Sequence, residues 1–214
     1  MRIHFVLIGE GSSDSGLIPH LEELCIDAGA DEVSGTFPDF QRLRMPVGGR
    51  VESRVRATLF LEPSANLIFV HRDADSRDPE PRYLEISAAI DGAGCTRPFV
   101  AIVPVQETEA WLLLDEDAIR LTAERPTGRR PLNLPRASRV ETIAQPKERL
   151  QRALVSACQL TGRRLARFKK EFSAHRRPLI QRLPIGGPLH SVQSWVRVRE
   201  DLEHVLTELR AQDT

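Results

Sequence analysis

The chain predicts an α/β fold, with a mostly parallel sheet, helices on both faces, and a mainly helical, basic region after it. Three observations carry this. Short apolar runs at Arg2–Gly9, Leu67–Val70 and Phe99–Val103 each stop abruptly in polar residues, the second at His71, as strands buried on both faces of a parallel sheet do. Segments of helical periodicity lie between them, and such alternation favours parallel strands joined by helices. The third observation is charge. Residues 1–115 hold 10 Lys and Arg against 19 Asp and Glu, whereas residues 116–214 hold 20 against 11, so the net charge of zero hides an acidic front and a basic back. We therefore expect an α/β core over 1–115 and a helical region over 116–214 packed on that core.

RIHFVLIG (residues 2–9) predicts the first strand. Leu17, Ile18, Leu21, Leu24, Cys25 and Ala28 recur at helical spacing, with Ser12, Ser13 or Asp14 available as N-cap. A weak polar segment, Asp39–Arg44, followed by Pro46, Gly48 and Gly49, suggests an edge strand and turn. Val51, Val55 and Leu59 mark a helix before the strand at Leu67, and Tyr83–Ile90 a further helix, closed by Gly92 and Gly94. After the strand at Phe99, the segment VQETEAWLLLD (105–115) predicts a buried helix with Glu107 and Glu109 at its head. Further helices are expected over Pro146–Leu160, Leu165–His175 and Ser191–Leu209, the last with Trp195, Val198, Leu202, Val205, Leu206 and Leu209 on one face.

Bulk properties exclude several classes. At 41% hydrophobic and 28% charged the composition is that of an ordinary globular protein, not a disordered one. Cys25, Cys95 and Cys158 are isolated and odd in number, and read as reduced thiols rather than a disulfide framework or a zinc site. No apolar run reaches the roughly 18 residues of a membrane span, and Met1–Ile8 is too short for a signal peptide, so no membrane association and a cytoplasmic location are expected.

The chemistry concentrates at the ends of the predicted strands, the edge where parallel sheets place ligands. Asp73 and Asp75 form a D-x-D directly after the strand at Leu67. In extended chain their side chains would leave on one side, and two carboxylates at about 4 Å repel by roughly 4 kcal/mol at an effective dielectric of about 20, which invites a cation or a shared proton. Hard oxygens of this kind suit Mg2+ or Mn2+. Glu10 stands at the tip of the first strand in EGSSD (10–14). The G-x-G at Gly9 and Gly11 resembles a phosphate loop only superficially, since its acids would repel phosphate; Glu10 is better read as metal ligand or general base. Glu109 or Glu107 supplies acid from a third loop. Arg72, immediately before the D-x-D, stands where it could pair with an acid or reach a phosphate. In the tail, Arg120–Arg182 carries 17 basic against 4 acidic residues, a balance suited to a polyanion.

This ordered set, Glu10 to Asp14, Asp73 to Asp75 and EAWLLLD (109–115), resembles the TOPRIM fold of topoisomerases, primases and the nucleases of the overcoming-lysogenization-defect group. It is most similar to small stand-alone TOPRIM proteins of bacterial defence operons, and covers residues 1–115. The resemblance implies a TOPRIM (Rossmann-like) core in which Glu10, Asp73, Asp75 and Glu109 hold one or two Mg2+ or Mn2+ ions for phosphodiester hydrolysis of DNA or RNA. Lys147, after Gln145 and Pro146, is then the candidate for a phosphate contact. It also implies a role as effector of an anti-phage defence system beside an ABC-type ATPase, this chain having no Walker motif of its own. Two other functions fit part of the pattern. One is a non-catalytic subunit that binds nucleic acid or the ATPase. The other is a metal-dependent nucleotide-sugar transferase, which needs neither Glu10 nor the basic tail.

Overall fold

The computed structural model describes residues 1–183 and 185–212, and its contacts divide the chain into two compact units. The first comprises Met1–Arg72, Pro79–Val103 and Arg197–Thr214; the second comprises Asp73–Asp78 and Pro104–Val196. These do not coincide with the segments 1–115 and 116–214 read from the sequence, because the last helix contributes to the first unit and the loops after two strands contribute to the second.

The first unit is an α/β layer. Its strands are β1 (Arg2–Ile8), β2 (Glu32–Thr36), β3 (Leu67–His71) and β4 (Phe99–Ile102), all parallel and in the order β2-β1-β3-β4. Its helices are α1 (Ile18–Asp27), α2 (Val51–Leu61) and α3 (Glu80–Gly92). All five residues of β3 are buried, so both faces of the sheet's centre are covered. The apolar runs thus form strands where the pattern placed them.

Two expectations in this unit are corrected. The edge strand is Glu32–Thr36, and the expected strand at Asp39–Arg44 is replaced by a single 3-10 turn over Phe40–Arg42, with the Asp39 side chain accepting from the Gln41 amide at 3.0 Å. Residues Ser12–Leu17 form a 3-10 turn rather than an N-cap, and α1 starts only at Ile18.

The poor apolar pattern of β2 has a physical cause in Gly35, which pairs with Phe5 across β1. The Phe5 ring lies over this glycine and meets Phe69 edge-on at 5.0 Å. The space of a side chain on β2 is therefore filled from β1. The Gly35 amide, at the sheet edge, donates to Glu22 on α1 at 2.9 Å.

The second unit is helical: α4 (Glu109–Leu112), α5 (Glu116–Thr122), α6 (Ala137–Val140), α7 (Pro146–Cys158), α8 (Gly162–Lys170) and α9 (Phe172–Ile180). The last helix, α10 (Gln193–Gln212), begins in it. The helix expected through Leu165–His175 is interrupted at Glu171, where ψ opens to 14°, and the expected 105–115 helix shortens to the four residues of α4. Trp111 and Trp195 form the core, ring edge to face at 5.2 Å, and the Trp111 indole N–H donates to Ser194 Oγ at 3.0 Å. Trp195, Val198, Leu202 and Leu206, on the expected face of α10, are buried. No helix among the described residues is long and apolar enough to cross a membrane.

An added methyl at Gly35 would stand 2.7 Å from Ile18 Cγ2 and collide with Phe5. Gly35→Ala is expected to lower stability by about 1–3 kcal/mol, the usual cost of overpacking, read as an earlier urea midpoint.

Candidate functional site

The acids expected to act together fall into both units. Glu10 belongs to the first; Asp73, Asp75, Glu107, Glu109 and Lys147 belong to the second.

In the first unit the turn after β1 is braced from within. Asp14 is fully buried, and its Oδ2 accepts from the Glu10 amide at 2.8 Å, from the Gly11 amide at 3.2 Å, and meets His71 Nδ1 at 3.0 Å. The amides that a phosphate would use in a G-x-G turn are therefore committed to an internal carboxylate. A Cβ on Gly9 would stand 2.8 Å from Asp14 Cβ, which explains the glycine. Arg54, from α2, donates to the carbonyls of Gly9 and Glu10. Glu10 itself is half-buried, and its Oε1 lies 2.8 Å from Arg72 Nε. This is an ion pair by distance, although the Nε–H is not aligned for a hydrogen bond. Of the two roles open to Arg72, pairing with an acid is the one the structure contains.

In the second unit the segments after β3 and β4 run on as partners. The Ala74 amide donates to the Pro104 carbonyl at 3.0 Å, that of Asp75 to Gln106 at 2.8 Å, and that of Gln106 back to Ser76 at 2.9 Å. This exchange holds both Asp75 (φ 52°) and Gln106 (φ 63°) in the left-handed region, a conformation that costs non-glycine residues of order 1 kcal/mol and collects at functional loops. The expectation that Asp73 and Asp75 leave one side of an extended strand is corrected, because β3 ends at His71 and Asp75 has a left-handed backbone. Asp73 is buried while Asp75 is exposed.

Thr108 fixes Asp73. Its amide and its hydroxyl both donate to Asp73 Oδ1, at 2.8 and 2.7 Å, with Thr108 wholly buried. Glu109, the next residue, is 3% exposed, and its Oε1 lies 3.2 Å from Arg176 Nε of α9. Burial pushes the Glu109 carboxyl up from the ordinary glutamate range; Arg176 opposes this, and the charges of Asp73 and Glu107 push it further up. Glu107 and Glu109 differ in their surroundings. Glu107 Oε2 accepts the Lys147 amide at 3.1 Å and so caps the first turn of α7, where a carboxylate suits the helix dipole, whereas Glu109 is the buried acid beside Asp73. Lys147 is exposed, and its main chain rather than its side chain makes this contact.

The structure therefore brings together Asp73, Thr108, Glu109 and Arg176, while Glu107, the residue before Thr108, accepts from the Lys147 amide. Sequence reasoning missed Thr108, Arg176 and the Asp14–His71 couple. Thr108 sits within the E-T-E that drew attention for its acids, and His71 is a polar residue inside an apolar run, so both left a signal; Arg176 left none among so many arginines. Among the described residues no three His, Cys, Asp or Glu side chains are grouped closely enough to hold a metal ion. Comparison with known proteins finds no matching family model, no matching curated protein and no matching solved structure.

The raised Glu109 value has a consequence for stability. The folded chain keeps this proton to higher pH than the unfolded one, so between the two values the folded state binds more protons and stability falls as pH rises. The contribution is fully present below the ordinary glutamate value and is lost as pH passes through the raised one. Urea midpoints measured across this window should decline with pH in the wild type, and the decline should flatten in Glu109→Gln.

Proposed function

We propose that the chain is a divalent-metal-dependent nuclease of TOPRIM type, hydrolysing phosphodiesters of DNA or RNA. The observation that carries this reading is the pair of buried acids Asp73, just after β3, and Glu109, at the head of α4. Two acids buried at one place in a chain are costly unless a cation or a proton joins them. Supporting it are the all-parallel sheet, the ordered motifs at Glu10, Asp73 to Asp75 and Glu109, and the basic tail. Glu10 enters the reading from its motif alone, as does Asp75. A defence role beside an ABC-type ATPase rests on the resemblance and on the lack of a Walker motif here.

The donor atoms are right in kind for Mg2+ or Mn2+, being carboxylate oxygens. Their arrangement is not that of a metal cage. Glu10 is paired with Arg72, Glu109 with Arg176, and Asp73 Oδ1 accepts two bonds from Thr108. Within the second unit, a metal at Glu109 would have to take the place that the Arg176 guanidinium holds. The same pairs favour a second reading, a non-catalytic subunit that keeps the fold and binds nucleic acid or an ATPase with arginines serving as its internal cations.

Titration calorimetry of Mn2+ into wild type, Asp73→Asn and Thr108→Val separates the two, followed by incubation of each with plasmid DNA and with total RNA. On the nuclease reading wild type binds and cleaves, Asp73→Asn loses both, and Thr108→Val, which frees the ligand it orients, binds about 10- to 100-fold more weakly. Wild type that takes up no metal and cuts neither polymer would leave the subunit reading in its place.

A further inference from the structure

We propose that the cleft between α6 and the start of α7 is a binding site for the phosphate groups of a nucleic-acid strand, held by Arg136, Arg139, Arg149 and Arg152. This rests on the reading of nucleic acid as the substrate class and gives that class a place on the surface. The cleft has a volume of about 510 Å3 and lies wholly within the second unit, with Thr142 and Gln145 also on its walls.

Its lining sets it apart from the neighbouring clefts. Several arginines elsewhere are neutralised within the chain, Arg56 by Glu52, Arg120 by Glu116, Arg167 by Glu171 and Arg197 by Glu80. Neighbouring clefts of the same unit each include a carboxylate, Glu148 in one and Glu124 with Glu171 in another. The walls of this cleft carry four arginines and no acid, and among the described residues none of the four makes an ion pair. Only Arg149 has a fixed partner, donating from its Nη2 to the Asn133 carbonyl at 2.8 Å, which anchors one guanidinium while the others stay solvated. Four like charges lining one concave surface raise the local concentration of anions. Guanidinium forks match phosphoryl oxygens two bonds at a time, which a run of lysines would not. Several arginines along an open cleft suit a chain of phosphates better than a single one. No aromatic residue lines the walls, so bases are not stacked there and recognition falls on the backbone.

The test is fluorescence anisotropy of a short labelled single strand, DNA or RNA, in chelator, with the full chain as wild type, Arg139→Glu/Arg149→Glu, Arg139→Gln/Arg149→Gln and Lys169→Glu/Lys170→Glu. Circular dichroism of each checks that it folds; the Gln pair carries the test should the Glu pair not fold. Both cleft variants are expected to bind more weakly, with the slope of log affinity against log salt reduced by about 1.4 for two lost phosphate contacts on a single strand. Unchanged affinity and slope in the cleft variants would overturn the proposal, as would an equal effect of the Lys169, Lys170 reversal, which changes as much charge outside the cleft. ATP serves as competitor: a strand that binds no better than ATP would make the site one for free nucleotides and overturn the strand assignment. Because binding is read without metal, and cleavage separately in Mn2+, the two can fail apart. Loss of strand binding in the cleft variants with no cleavage by wild type supports the cleft and removes the nuclease; cleavage by wild type with cleft variants binding normally does the reverse.

Discussion

A strand covered on both faces can hold no charge along its length, and this constraint orders the molecule. In β3 every side chain is buried, and the one polar member, His71, is admitted only because Asp14 meets its ring nitrogen at 3.0 Å. Charge is displaced past the end of the strand, where Arg72, Asp73 and Asp75 come within four successive residues. The same holds after β4, whose apolar residues give way to Glu107, Thr108 and Glu109. Acids accumulate beyond strand ends, and each buried one is matched. Asp14 takes two amides and a histidine, Asp73 takes Thr108, and Glu109 takes Arg176.

These matches differ in kind. Asp14 is held by two main-chain donors of its own turn and by His71 at the end of β3, an arrangement that depends on Gly9 leaving room for it. Glu109 is held by a charge from a helix far along the chain. Removing one member of such a buried pair costs about 3–5 kcal/mol, because the other is left charged and without compensation. The first arrangement stabilises a turn. The second ties α9 to the loop after β4 and keeps two acids close despite their repulsion.

Much of the fold was legible. Three of the four strands were apparent because central parallel strands are continuous apolar runs, and α1, α2, α3, α7 and α10 followed from periodicity. The edge strand was not. Glu32–Thr36 is read EVSGT, and its place in the sheet depends on Phe5 filling the space above Gly35, a contact between positions 30 residues apart that no local pattern records. The candidate site was legible in its acids and opaque in its geometry. Nothing in the order of residues separates Glu107, which caps a helix, from Glu109, which is buried. The left-handed turn at Asp75 arises from pairing with Gln106, and so depends on the second segment. Arg176 is set by tertiary packing alone.

The way the chain is shared between the two units bears on how it can be made and cut. The first unit takes its residues from three stretches, the last being Arg197 onward, where Val198, Leu202 and Leu206 are buried, Arg197 lies 3.5 Å from the Tyr83 ring centre, and Arg210 donates to the Ala28 carbonyl. A gene shortened after Asp115 would therefore encode all four strands and yet lack a wall of their own unit. On the ribosome the order is the same: the sheet is synthesised in the first half of the chain, but the unit it belongs to closes only when the final helix has left the exit tunnel.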